Sequence, residues 1–406
     1  MNKPGSQSLL AKDTNYDIVI IGAGPAGLSF ACSLANKGFR IAIIEKQSLQ
    51  SISEPVFDGR DIALTHLSQR ILNELGVWAR IPGQEISSIH EARVLDGSSP
   101  YSLDFDTRGE AIEALGFLVS NHVIRKVLYE EAKNIQELDF YTDTAVTSVS
   151  TDKQGSSVIL DDGQELRPML VVAADSRFSE TRRMLGIPAS MHDFGRVCIV
   201  CRMAHDLENE GVAFECFHYG RTLAVLPLKG NQSSIVVTAA MSERNMLMDM
   251  TEEQFNNDIQ HRFGLRYGEM RLITERFAYP LVGVHARKFC ATRFALIGDA
   301  AVGMHPVTAH GFNLGLSGQE ILANEVIKAA NQGMDIGDSR LLERYESAHM
   351  RSTRPIYHGT NKIVKLFTDD RRPSRLLRKI TVRLANNFPP IKYAIRNKLT
   401  DLRTHR

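Results

Sequence analysis

The stretch Asp17–Lys46, DIVIIGAGPAGLSFACSLANKGFRIAIIEK, decides the fold. DIVII is an apolar run of strand length, PAGLSFACSLANKG has helical apolar spacing and stops at Gly38, and RIAIIEK returns to a buried-strand pattern. The segment therefore reads as one βαβ unit. At its first junction stands Gly22-x-Gly24-x-x-Gly27, directly after the predicted strand and before the predicted helix. Gly22 permits the tight turn, Gly24 lets the backbone approach a pyrophosphate, and Gly27 lets helix and strand pack closely, while the helix start offers N–H groups to phosphates. Glu45 closes the second strand, where an acid accepts hydrogen bonds from a ribose diol and disfavours a 2′-phosphate. The dinucleotide-binding candidates of this unit are Gly22, Ala23, Gly24, Ala26, Gly27, Glu45 and Lys46.

NAD and FAD share this fingerprint, and a distal stretch separates them. Residues 293–316, RFALIGDAAVGMHPVTAHGFNLGL, begin as an apolar strand, turn tightly at Gly298 and present Asp299 where ribityl hydroxyls need an acceptor. Gly311 and Gly315 then open a helix whose N–H groups and positive end suit the electron-rich edge of a reduced isoalloxazine. A nicotinamide enzyme need not grip its cofactor with the distal half of the chain, whereas a long FAD must be held twice. FAD is the cofactor expected.

The rest of the 406-residue chain fits an α/β architecture. We expect a Rossmann-like FAD-binding domain of the glutathione-reductase type, built from residues 14–80, 116–177 and 291–370. The alternating stretches RVCIVCRMA, GVAFECF, TLAVLPL and SSIVVTAA predict an inserted, mainly antiparallel substrate sheet from 81–115 and 178–290. The C-terminus reads as helical. Cys198-x-x-Cys201 lies in a predicted strand, where alternation sends its thiols to opposite faces, so both are expected in the core. His305 and His310 lack a third ligand at metal-like spacing, and no metal is expected.

Hydrophobic residues at 43%, and 48 basic against 47 acidic residues, are ordinary for a globular protein, and whole-chain charge therefore points to no partner, nucleic acid included. Five cysteines without repeating spacing suit a reducing compartment, so a cytoplasmic location is expected. The N-terminus has no apolar core of signal length, and no uncharged apolar run approaches the roughly 20 residues that span a bilayer. Surface contact stays open. Residues 371–406 carry eleven Lys or Arg against the single acid Asp401, with Leu376, Leu377, Ile380 and Leu384 on one helical face. Such a segment suits either an anionic membrane surface or packing on its own domain.

These motifs resemble the group A flavin monooxygenases of the aromatic hydroxylase superfamily, and within it the ubiquinone-biosynthesis ring hydroxylases. The resemblance rests on GxGxxG at Gly22, Gly24 and Gly27. It extends to Ala174-Asp175-Ser176-x-x-Ser179-x-x-Arg182 against the family's ADGxxSxxR, and to Gly298-Asp299 followed by His305-Pro306. DGRDIALTHLSQRILNELGVW and AFECFHYGRTLAVLPL are similar to further family stretches, so the likeness covers roughly residues 16–390.

The resemblance implies an enzyme in which NAD(P)H reduces FAD and O2 adds to the flavin C4a as a hydroperoxide that hydroxylates a polyprenylated phenol or quinol. It places Glu45 on the adenosine ribose, Asp175 near the pyrophosphate, Asp299 on the ribityl chain and Arg60 near the flavin, with Gly311, Phe312, Asn313 and Leu314 lining the isoalloxazine through backbone groups. A surface salt bridge from Arg60 to Asp58 or Asp61 is the alternative for that residue. Pro306 and His310 are the catalytic candidates, Pro306 by shape and His310 by an imidazole where relatives carry glutamine. Ser176 replaces the family glycine, so its backbone must avoid positive φ or accept strain. His122 stands where relatives often carry arginine. Two other readings keep the fold: a flavoprotein reductase of prenyl lipids, similar to geranylgeranyl reductases, and a non-catalytic flavin-binding partner in a quinone-synthesis complex. Flavin halogenases need a WxWxIP stretch, which a chain whose single tryptophan is Trp78 lacks.

Overall fold

The computed structural model describes residues 15–96, 102–107, 112–218, 220–304 and 310–368. One eight-stranded sheet carries the expected βαβ unit. Its main path runs Cys290–Ala291, Phe294–Leu296, Glu165–Ala173, Asn15–Ile21, Ile41–Ile44 and Leu138–Tyr141. Four of those five pairings are parallel, with Ile18 opposite both Leu170 and Ile41, and Ala173 opposite Leu296. All four residues of Ile41–Ile44 are buried, as a parallel strand covered on both faces requires. Hairpin strands Val146–Thr151 and Ser156–Leu160 extend the sheet beside Glu165–Ala173.

The first helix spans Pro25–Ser33, with Pro25 at its first position and Gly24 as N-cap. It ends before Gly38 because Asn36 (φ 59°) and Gly38 (φ 79°) turn the chain in the left-handed region.

The second sheet has nine strands on the path Val302–Gly303, Phe277–Ala286, Ala189–His205, Gln232–Ala240, Arg221–Leu228, Val212–His218, Glu91–Asp96 and Ser102–Asp106, with Met270–Leu272 alongside. It is antiparallel except where Val212–His218 meets Glu91–Asp96. The short stretches expected near residue 196 are one 17-residue strand, Ala189–His205, whose pairing shifts between Asp193 and Val197.

A helical layer that the sequence reading missed covers one face of this sheet. Glu252–Phe263 buries Phe255, Ile259 and Phe263 against Val197, Ile199 and Cys201. Its signals were present in the sequence: a capping box from Thr251 to Gln254 and a left-handed Gly264 at the end. Cys198 belongs instead to a cluster with Val200 and Leu281 on the opposite face. Both thiols are buried and pushed up to about 12, so neither is a nucleophile near neutral pH.

A three-stranded sheet, Asp61–Leu64, Gly116–Ser120 and Ser87–Ile89, lies between the two large ones. Two helices, His310–Asn331 and Ser339–Thr368, close the described chain. The basic segment 371–406 lies outside the described residues.

Candidate active site

Four adjacent parallel strands end side by side at Ile21, Ile44, Ala173 and Leu296, and the glycine turns at Gly22 and Gly298 leave from two of these ends. Ligands of open α/β sheets bind in the crevice beyond such carboxyl ends. Gly22 (φ 108°) passes so close to the neighbouring strand end that a Cβ would lie 2.6 Å from the Ala174 carbonyl oxygen. A Cβ at Gly27 would collide with the Gly22 carbonyl, so the helix rests directly on the turn. Gly24 differs: a Cβ there meets nothing within 4 Å. The helix it caps has no side-chain cap and no acid in its first turn, which leaves N–H groups directed at that open space.

Glu45 does more than wait for a ribose. Its Oε2 accepts from the Ala23 N–H at 2.8 Å and its Oε1 from the Gln47 N–H at 2.9 Å, so it fixes the shape of the loop. Lys46 is exposed.

The distal turn stacks on the first one. A Cβ on Gly298 (φ 59°) would stand 2.7 Å from the Ala26 Cβ, and one on Gly315 would stand 3.5 Å from the Gly298 Cα. The ADS segment ties in from the side. Asp175 accepts from the Thr181 N–H (3.1 Å) and hydroxyl (2.9 Å) through Oδ2, while its Oδ1 is buried without a partner. Ser176 adopts φ 77°, so serine has kept the conformation that suits glycine. Arg177 pairs with Asp299 at 3.0 Å. Buried Arg182 donates to the Ala300 carbonyl at 2.8 Å and the Arg177 carbonyl at 3.2 Å, a staple that the motif position alone did not reveal.

Helix His310–Asn331 is placed by Asn313. Its Oδ1 accepts from the Thr65 N–H (3.0 Å) and the Ser68 hydroxyl (2.6 Å), and its Nδ2 donates to the Ala63 carbonyl (2.8 Å). The amide is thereby turned toward Asp61–Leu64. Gly311 opens on free space, His310 and Phe312 are half-buried, and Leu314 is buried. Pro306 lies outside the described residues.

Arg60 makes one of the two ion pairs weighed for it, the one with Asp58. Its guanidinium pairs with Asp58 at 2.5 Å and lies 5.3 Å from the Tyr279 ring centre, whose hydroxyl donates to the Asp58 carbonyl at 2.7 Å. Burial pushes the Asp58 carboxyl up, but Arg60 and the Asn121 amide more than offset it and hold Asp58 low. Asp61 pairs instead with Arg202, described below. His122 meets the Phe57 ring edge-on at 5.4 Å, and burial pulls its pKa down, so it is neutral near pH 7.

An orphaned acceptor on Asp175, open space before Gly24 and Gly311, and uncapped helix N–H groups fit a long anionic dinucleotide with a polyol chain. The comparisons agree. A family described as FAD binding domain matches residues 15–356. Ubiquinone hydroxylase UbiM of Neisseria meningitidis is 47% identical over 388 residues, 95% of this chain and 84% of that protein. Ubiquinone hydroxylase UbiL of Rhodospirillum rubrum is 32% identical over 380 residues, covering 94% and 88%. The crystal structure of p-nitrophenol 4-monooxygenase PnpA from Pseudomonas putida superposes with a TM-score of 0.76 at 18% identity, over 97% of this chain and 100% of that one, and shows the shared fold.

Proposed function

The chain belongs to the FAD-binding-domain family of flavin monooxygenases and, within it, to the ubiquinone hydroxylases, and from that premise we propose that it hydroxylates the aromatic ring of a polyprenylated phenol or quinol with NAD(P)H as electron donor. The observation that carries this reading is an apolar face on the nine-stranded sheet. Cys198, Val200 and Leu281, with Phe194, Val236, Phe277 and Tyr279 packed on them, form an apolar face of the nine-stranded sheet. Gly59 lies so close to that face that a Cβ would touch Phe277 and Val200. A prenylated ring suits such a wall, and the wall keeps water from the reacting centre.

When bound, FAD supplies the hydride-accepting and oxygen-activating chemistry. The protein's own residues position and shield. Gly22, Gly24 and Gly27 would hold the pyrophosphate against the uncapped helix, Glu45 the ribose, and Asp175 and Asp299 hydroxyl or amide groups further along. Gly311 to Leu314 would offer backbone N–H groups to the ring system, which Asn313 holds in place from behind. We assign the nine-stranded sheet as the substrate domain and residues 371–406 as a basic contact with anionic membrane, where a polyprenyl substrate resides.

The test is aerobic turnover of the FAD-loaded protein with a 2-prenylphenol and NAD(P)H. Oxygen uptake matched to a hydroxylated product supports the reading. Turnover unchanged by removing oxygen favours the prenyl-lipid reductase instead, and bound FAD with no NAD(P)H oxidation for any phenol favours a non-catalytic partner.

A further inference from the structure

We propose that Glu215 is the catalytic residue that takes the hydroxyl proton of the bound phenol, an assignment that rests on the ring-hydroxylase reading above. Glu215 sits in the strand Val212–His218 between Phe214 and Cys216, which both enter the cluster beneath helix Glu252–Phe263. Its neighbours in phase, Ala213 and Phe217, pack with Leu118 and Ala63 of the three-stranded sheet. The carboxyl therefore faces the same way as they do. Ala63 is the residue whose carbonyl receives the Asn313 amide, so this face looks toward the start of the cofactor helix.

Across the sheet, Glu215 stands in register with Ala224, and the same row continues through Val236, Val200 and Phe277, with Val94 on its other side. It is the one acid in a row of hydrocarbon. Among the described residues it has no hydrogen bond and no ion pair, and it is partly accessible where Ala224 and Val200 are buried. An unpartnered carboxyl in such surroundings costs stability, and folds retain one where chemistry needs it. Burial pushes it up to about 8, which makes its carboxylate a far better proton acceptor for a phenol than an ordinary glutamate. The titratable groups that interact with it are Cys198, on the same face, and Cys216, beside it on the opposite face, and burial holds both thiols neutral.

In the step proposed, the phenolic O–H bond breaks, its proton joins a Glu215 carboxylate oxygen, and the electron pair stays on the phenolic oxygen, enriching the ring toward an electrophilic oxygen. No electron is exchanged. The acid returns the proton to the product's oxygen at the end of the cycle.

The experiment uses FAD-loaded protein, Glu215→Gln and a short-chain 2-prenylphenol. Ultraviolet difference spectra of the bound phenol should show phenolate growing in as pH rises for the natural protein and neutral phenol throughout for Glu215→Gln. Hydroxylation should fall about 100-fold with flavin content unchanged. Glu215→Met provides a second neutral side chain should the glutamine variant not fold. A natural protein that hydroxylates, beside variants with the same phenolate spectrum and rate, overturns the role of Glu215 alone. A natural protein that neither binds nor hydroxylates any phenol overturns the ring-hydroxylase reading and this proposal with it.

Discussion

Arg202, on the long strand of the nine-stranded sheet, grips Asp61, on the three-stranded sheet, with Nη2 to Oδ1 at 2.6 Å and Nε to Oδ2 at 3.3 Å. The Asp61 side chain is fully buried, the Ser120 hydroxyl shares the same guanidinium, and the Phe57 ring lies 4.9 Å beneath it. This clamp joins the nine-stranded sheet to the strand Asp61–Leu64, whose Ala63 carbonyl receives the Asn313 amide of helix His310–Asn331. Replacing one partner strands a buried charge, so Arg202→Met should cost about 3 kcal/mol in denaturant unfolding, and the double variant with Asp61→Asn should cost less than the two singles summed. Strict additivity would show that the pair is not coupled.

Two glycines separate cofactor contact from packing. Gly298→Ala must place a Cβ against Ala26 at positive φ, and we expect a less stable protein with little FAD. Gly24→Ala meets no protein atom, so the apoprotein should keep its stability within about 0.5 kcal/mol while losing flavin. Full flavin content in folded Gly24→Ala, read from the visible absorbance, contradicts the pyrophosphate site.

Asn313→Leu removes an acceptor from Thr65 and Ser68 and a donor from Ala63 while conserving bulk. Buried groups left unpaired cost about 1–3 kcal/mol each, so thermal unfolding should move down by several degrees. Flavin affinity should weaken more in Asn313→Leu than in Phe312→Leu, because only the first releases the helix start.

Stability should also report on Glu215. Its folded-state pKa lies above the ordinary value, near 8, so between about pH 4.3 and 8 the folded protein holds more proton than the unfolded chain and stability falls as pH rises through that window. Glu215→Gln removes this penalty. Its melting temperature should exceed that of the natural protein at pH 8 and converge with it near pH 4, and parallel curves would place the carboxyl in water.

Deleting residues 371–406, with their eleven basic side chains, should weaken cosedimentation with anionic liposomes and leave flavin bound. Equal sedimentation of both forms removes the membrane contact.

The amino-acid sequence by itself determined the two glycine turns, the parallel strands that carry them and the antiparallel insertion. Each is a local matter: a glycine that must accept positive φ or a close backbone is visible in its own neighbourhood, and so is a strand buried on both sides. Alternation likewise separated Cys198 from Cys201. Tertiary structure alone decided which acids are spoken for. Arg202 and Asp61 stand 141 residues apart, and nothing near Asp61 distinguishes that partner from Arg60, which pairs with Asp58 instead. Asn313 became a clamp because Ala63 and Thr65 arrive from a distant strand and its end, and Glu215 became a solitary acid because five further strands lay hydrocarbon beside it. A side chain's face follows from its own chain, but its partners, and hence its charge and chemistry, follow from what the rest of the fold brings to that face.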